Sequence, residues 1–267
     1  MLNERQDHIL EQLKRVGSVQ VDDLAALFDV TTQTIRRDLS ELCERGLAAR
    51  IHGGARRSVS TSTVDYEKRR QLDVSAKSGI AERAAALIPE GCSVAINIGT
   101  TTELVADALK YHKDLTVITN NINVVHILRT ARMKSLIIVG GEVRTSDGAI
   151  IGSDALEAFR NYKVDYAVIG ASSLDVDGSV LDFDQREVAV SRAILENART
   201  RILVCDKSKF DVSAPHRICK ASDLDYIVTD GTPPPEFDTS LSLGAVSMAR
   251  GSRVMLSGAA IAWPLQK

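Results

Sequence analysis

Apolar residues in the first fifty positions recur at helical spacing. Ile9, Leu13 and Val16 share one stripe, closed by Gly17. Ser18 and Val19 lead into a second stripe made by Val21, Leu24, Leu27 and Phe28. Asp29-Val30 is a short connection to a third, where Ile35, Leu39 and Leu42 sit at i, i+4 and i+7. Thr31 can cap that third helix with its hydroxyl, and Gly46 follows its last turn. Gln33, Arg37 and Ser40 fall opposite the apolar stripe, with Arg36 on its flank. Leu47 to Ile51 reads as a short strand and Gly53-Gly54 as a tight turn.

The pattern changes further along. Residues 58–76 are polar and rich in Ser, Thr and charge, which predicts a linker, with a partial helix from about Tyr66. From Lys77 on, helices alternate with short apolar strands. Helices are expected over Ile80–Ile88, Thr101–Lys110, Val124–Thr130, Ala155–Tyr162 and Glu187–Ala198. Strands are expected over Cys92–Ile98, Leu115–Ile118, Leu136–Val139, Val164–Ile169, Arg201–Cys205 and Tyr226–Val228. Near-continuous apolar strands between helices indicate a parallel sheet covered on both faces. The expected organisation is residues 1–57, a linker over 58–76, and an α/β domain over 77–255.

Two helices joined by a short turn, the second with a polar outer face, make a helix-turn-helix. That face offers amide, hydroxyl and guanidinium groups, which suit base edges and phosphates. A solvated face carrying two arginines has the same composition, so charge has to weigh in. Through Arg57 the segment holds nine bases and nine acids. From Val30 onward it holds six bases (Arg36, Arg37, Arg45, Arg50, Arg56, Arg57) against Asp38, Glu41 and Glu44. Positive charge therefore gathers on the third helix and the hairpin after it, where phosphate contacts form. The whole-chain charge of −2 argues against indiscriminate nucleic-acid binding and leaves room for a specific reader. The residues expected to meet DNA are Thr32, Gln33, Thr34, Arg36, Arg37 and Ser40 on the helix, with Arg50, His52 and Gly53 on the hairpin.

VQVDDLAALFDVTTQTIRRDLSELCERGLAARIHGGA resembles the DNA-binding domain of the DeoR family of bacterial transcriptional regulators, through TIRRDL and the HGGA wing above all. The likeness continues in IGTTTELVADAL, LTVITNNINV, VGGEVRTSDGAIIG, DGSVLDFDQREV and CDKSKF. DGSVLDFD, NNINV and TDGTPPP are most similar to the members that govern glycerol 3-phosphate use. The resemblance implies a winged helix-turn-helix followed by a Rossmann-like sugar-phosphate sensor, related to ribose-5-phosphate isomerases and glucosamine-6-phosphate deaminases. It also implies a repressor released from operator DNA by a small phosphorylated effector, with glycerol 3-phosphate the first choice.

The sensor turns are weighed against plain structural roles. Gly99, Thr100, Thr101 and Thr102 sit between a strand and a helix, where amides and hydroxyls can converge on an anion. Many strand-to-helix turns also favour Gly and Thr, and the resemblance tips the balance to phosphate. Asn120, Gly141 and Glu142 follow strands and could read hydroxyls, or could simply cap turns. Lys207 and Lys209 could counter a phosphate charge or form an ordinary basic loop, and Asp182, Asp184 and Glu187 could meet the effector or the hinge to the DNA-binding domain. Asn97 stands where the family usually has an aspartate. Asp175 and Asp177-Gly178 hold fragments of a calcium loop without its other ligands, so a turn is expected there.

The remaining expectations follow from composition. Cys43, Cys92, Cys205 and Cys219 show no C-x-x-C spacing and read as reduced thiols of a cytoplasmic protein. No metal or cofactor is expected, no apolar run reaches membrane length, and the charged start lacks a signal-peptide core. A sugar-phosphate isomerase is the competing class. It would need a positioned base and acid, which the sequence does not supply, and would have no use for TIRRDL. A small reader buries too little surface alone, so a homo-oligomer (dimer or tetramer) is expected on repeated half-sites. The sign of regulation is open at this point.

Overall fold

The computed structural model describes residues 2–44, 47–51, 53–57, 63–210, 212, 214–233, 235–237 and 253–256. The chain divides into two compact units, Met1–Asp65 and Tyr66–Lys267.

In the first unit, α1 (Glu4–Val16), α2 (Val21–Phe28) and α3 (Thr32–Glu44) pack around Ile9, Leu13, Leu24, Ile35, Leu39 and Leu42. All six are almost fully buried, each worth about 1.5–3 kcal/mol of transfer free energy. Asn3 and Gln6 form a reciprocal capping box on α1. Asp29 takes a left-handed conformation (φ 50°) to end α2. The expected C-terminal glycine of α3, Gly46, lies outside the described residues.

The hairpin after α3 holds one strand more than the pattern predicts. Strands β2 (Ala48–Ile51) and β3 (Gly54–Arg57) pair antiparallel, and β3 also pairs with β1 (Ser18–Gln20). Ser-Val-Gln is too short to display an alternation, so only the partner strand reveals it. Gly54 makes this pairing possible. A Cβ there would stand 2.0 Å from the Val19 carbonyl oxygen.

The second unit opens with α4 (Thr63–Gln71) and α5 (Val74–Ala86), so the expected linker is largely helical from Thr63. Its centre is a parallel sheet of seven strands in the order β15-β14-β12-β9-β4-β5-β6. These are β4 (Ser93–Ile96), β5 (Thr116–Thr119), β6 (Ser135–Ile138), β9 (Val164–Ile169), β12 (Ala198–Val204), β14 (Tyr226–Thr229) and β15 (Arg253–Leu256). Alternate residues serve opposite faces. Val94, Ile96 and Val168 join a core with α5, α6 (Thr100–Leu109) and α7 (Ile122–Leu128). Ala95, Ala167 and Ile169 join the other, with α8 (Ser153–Arg160) and α9 (Gln185–Glu196).

Two small antiparallel sheets complete the unit. Strands β7 (Glu142–Arg144) and β8 (Ala149–Ile151) form a hairpin, and β11 (Ser179–Asp182) pairs with both β10 (Ser173–Leu174) and β13 (His216–Lys220). The Asp177-Gly178 turn joins β10 to β11, with Gly178 at φ 78°.

Candidate functional site

In the first unit, Gln33, Arg36 and Arg37 are exposed on α3. Arg37 is 84% exposed, with Glu41 one turn on at 3.6 Å. Thr31 accepts from the Thr34 amide at 3.2 Å and holds the helix start, and Thr32 and Thr34 lie half-exposed beside it. Ser40 donates to the Arg36 carbonyl at 2.9 Å and accepts from Arg50, which also reaches that carbonyl at 3.2 Å. Arg50 therefore ties the wing to α3. Gly53 turns the hairpin at φ 77°, while His52 and the side chains of Arg56 and Arg57 lie outside the described residues.

Asp38 changes the charge picture. It is buried, paired with Arg5 at 2.6 Å, and accepts from Gln6 at 3.3 Å. Its charge serves the α1–α3 packing, so the acid closest to Arg36 and Arg37 in sequence is neutralised internally.

In the second unit, strand order reverses between β4 and β9: the chain steps from β4 to β5 and β6 on one side, and from β9 to β12 and β14 on the other. Ligands of open α/β sheets bind beyond the carboxyl ends of strands at such a switch point. The turn after β4 is Gly99, Thr100, Thr101 and Thr102, and Gly170 follows β9. A Cβ on Gly170 would lie 3.6 Å from Thr102 Cγ2, so the two turns meet. Gly99 starts α6 at φ 144° with no side-chain cap. Asn121 caps α7 and Asp184 caps α9, whereas α8 starts, like α6, on a glycine without a side-chain cap. The first amides of α6 thus keep their donors for another partner.

Each expected residue has a distinct place. Gly99 and Thr100 are half-exposed at the turn, and Thr101 is buried. Thr102 is fully buried and its hydroxyl donates to the Asn97 and Gly99 carbonyls at 3.0 and 2.8 Å, so it closes the turn. Asn97 donates to Ser191 at 3.1 Å and accepts from the Gly170 amide at 3.0 Å. A carboxylate could not make that donation. Asn120 donates to the Ile150 carbonyl at 3.0 Å, while its buried Oδ1 has no partner among the described residues. Gly141, at φ 141°, is where β8 approaches: a Cβ would meet Ile150 Cγ2 at 3.0 Å. Glu142 is exposed, 3.9 Å from Arg186. Asp184 is occupied, accepting from the Arg186 amide at 2.9 Å and pairing with Arg144 at 3.1 Å.

The basic groups gather from farther apart. Lys77 on α5 is buried and donates to the Arg69 and Leu72 carbonyls at the end of α4, at 2.5 and 2.7 Å. Burial lowers its affinity for a proton, and Asp206, Lys209, Asp73 and Arg69 are its charged neighbours. Asp206 lies after β12. Burial pushes it up, yet Lys209, the Ser208 hydrogen bonds and Lys77 outweigh that and hold it below the usual carboxylate range. Lys207 is exposed on the same turn. Arg69 is half-buried, its Nε is buried with no partner among the described residues, and its charge acts on Asp182.

An acidic network adjoins. Arg144 pairs with Asp147 at 2.5 Å, with Asp184, and with Glu187. Burial beside Asp182 raises the Glu187 carboxyl, and burial raises Asp182 too. Buried Glu103 on α6 accepts from Tyr66 at 2.7 Å, Asn121 at 3.2 Å and Asn123 at 3.1 Å. Sequence reasoning left out Tyr66, Arg69, Lys77, Glu103 and Arg144 as site residues. Tyr66 and Glu103 meet across thirty-seven positions and Arg144 reaches on to Asp184 and Glu187, while Lys77 holds carbonyls only five and eight residues back; no local motif marks any of them as a site.

The DeoR-like helix-turn-helix domain description matches residues 5–64, and the DeoR C-terminal sensor domain description matches residues 72–231. The chain belongs to the DeoR family. The glycerol-3-phosphate regulon repressor of Haemophilus influenzae is 41% identical over 229 residues, spanning 86% of this chain and 89% of that protein. The Escherichia coli repressor of the same name is 41% identical over 231 residues, with 86% and 92% covered. The E. coli transcriptional repressor CsqR is 36% identical over 239 residues, with 90% and 92% covered. These DeoR relatives are named as transcriptional repressors, not as enzymes. Among solved structures, a ribose 5-phosphate isomerase from Plasmodium falciparum is 13% identical with a TM-score of 0.38, over 52% of this chain and 53% of that one. No helix of the described residues is long and apolar enough to cross a membrane.

Proposed function

We propose that this chain is a cytoplasmic transcriptional repressor of a carbon-catabolic operon, released from operator DNA when glycerol 3-phosphate binds its sensor. Residues 1–57 are the DNA reader, 77–255 the sensor, and 58–76 join them. Thr32, Gln33, Thr34, Arg36 and Arg37 meet the operator from α3. Arg50 and Ser40 brace the wing against that helix, and His52 and Gly53 bring the wing to the backbone. The chain acts as an oligomer, dimer or tetramer, on paired half-sites.

The observation that carries the effector reading is the uncapped start of α6 at the switch point, in the unit that also gathers Lys77, Lys209 and Arg69. A phosphate there would take the uncapped amides of α6, with Lys209 as its candidate counter-charge. Asn120, with its free buried oxygen, Gly141 and Glu142 would read hydroxyls. Support for glycerol 3-phosphate comes from the names of the H. influenzae and E. coli relatives.

Calorimetry tests this with glycerol 3-phosphate, fructose phosphates and their unphosphorylated parents. Glycerol 3-phosphate should bind and glycerol should not. Equal binding of the two removes the phosphate site. A fructose phosphate binding far more tightly than glycerol 3-phosphate keeps the site and replaces the effector.

A further inference from the structure

We propose that β6, the outer strand of the seven-stranded sheet, pairs antiparallel with β6 of a second copy of this chain. This deepens the oligomer reading above by assigning its surface. Among the described residues, strand β6 is bonded on one side alone, to β5. The Ser135 and Val139 amides point toward β5, reaching the Leu115 and Thr119 carbonyls at 3.3 and 3.0 Å. By alternation, the N–H and C=O groups of Leu136 and Ile138 face the open side. No described residue takes them. The strand reads Ser-Leu-Ile-Ile, without the lysine, proline or bulge that normally blunts an exposed edge. Ile138 is 43% exposed, and Val143, just beyond, is 45% exposed.

Three features select a second copy as the occupant. The outward groups are self-complementary: a two-fold axis at Ile137 sets Leu136 opposite Ile138 of the other copy, and each such pair can exchange both backbone bonds. Charge agrees with an antiparallel arrangement. Exposed Arg132 and Lys134 precede the strand, and exposed Glu142, otherwise 3.9 Å from Arg186, follows it. An antiparallel partner brings the basic approach to one strand toward the acidic exit from the other. Last, an operator of paired half-sites needs a two-fold partner.

The full chain is tested by sedimentation at micromolar concentration, with a circular-dichroism melt to confirm folding. Ile138→Lys adds charge on a half-exposed side chain. Ile138→Pro removes an outward N–H that β5 does not use. Val176→Lys, at a side chain 68% exposed elsewhere, is the control. Wild type and Val176→Lys should sediment as a dimer or larger, and both Ile138 variants at half that mass. Ile137→Cys gives a check independent of those variants. The axis sets it against its own copy at a non-hydrogen-bonded pair, with Cα atoms about 4.5 Å apart. Oxidation should yield a covalent dimer that reductant reverses, where wild type yields none. Folded Ile138 variants with wild-type mass, and no cross-link through position 137, would overturn the β6 assignment and leave the oligomer reading standing. A monomeric wild type would overturn both.

Discussion

At the residue scale, small facts of geometry divide the polar side chains into those that hold and those that reach. Arg37 reaches: it is largely exposed on α3 and pairs with Glu41. Arg37→Ala should weaken operator binding. A base contact is worth about 1–3 kcal/mol and changes sequence preference, whereas a phosphate contact weakens all sequences alike and lowers the salt slope by about one. Titrations across a salt series separate the two, and an unchanged affinity and slope would remove Arg37 from the interface. Gly54 holds. Its replacement by alanine sets a Cβ against the Val19 carbonyl and must push β1 off β3. The first unit should lose roughly 1–3 kcal/mol, as overpacked sites do, and denaturant melts of Gly54→Ala would register it. Sequence marked Arg37 through its place opposite an apolar stripe. It could not mark Lys77 or Arg69, because their significance comes from Asp206, Lys209 and Asp182, more than a hundred positions away.

At the scale of elements, legibility followed length and apolarity. Strand β9 was read to its ends, since six residues of mostly apolar chain between helices have few other uses. The hairpin β7–β8 and the β10-β11-β13 sheet went unread, because strands of two to five residues built around polar turns carry no clear period. Helix α4 was read only in part, as its composition is that of a linker; Tyr66 docks it on Glu103, and Lys77 holds its last carbonyls. The network around α9 supplies an element-scale prediction. Burial raises Glu187 from its ordinary value of 4.5, and Asp182 adds to it. A carboxyl raised on folding binds more protons folded than unfolded, so it costs stability as pH climbs from its unfolded value through its folded one. Glu187→Gln removes that titration. Relative to wild type, the variant should gain stability as pH rises above about 4.5. Urea melts across that range check it, and a difference that stays constant with pH would contradict the burial of the charge.

For the whole molecule, function needs two units to share one free energy. The effector must favour the state that binds DNA weakly; a coupling of about 1–3 kcal/mol changes operator affinity about 5–150-fold. Linkage makes this reciprocal, since operator must weaken effector binding by the same factor. The most direct measurement is a paired titration: glycerol 3-phosphate affinity with and without saturating operator, and operator affinity with and without saturating glycerol 3-phosphate. Two ratios above five and equal within error are expected, with unphosphorylated glycerol changing neither. Tight binding of glycerol 3-phosphate with operator affinity unmoved would contradict ligand-controlled release.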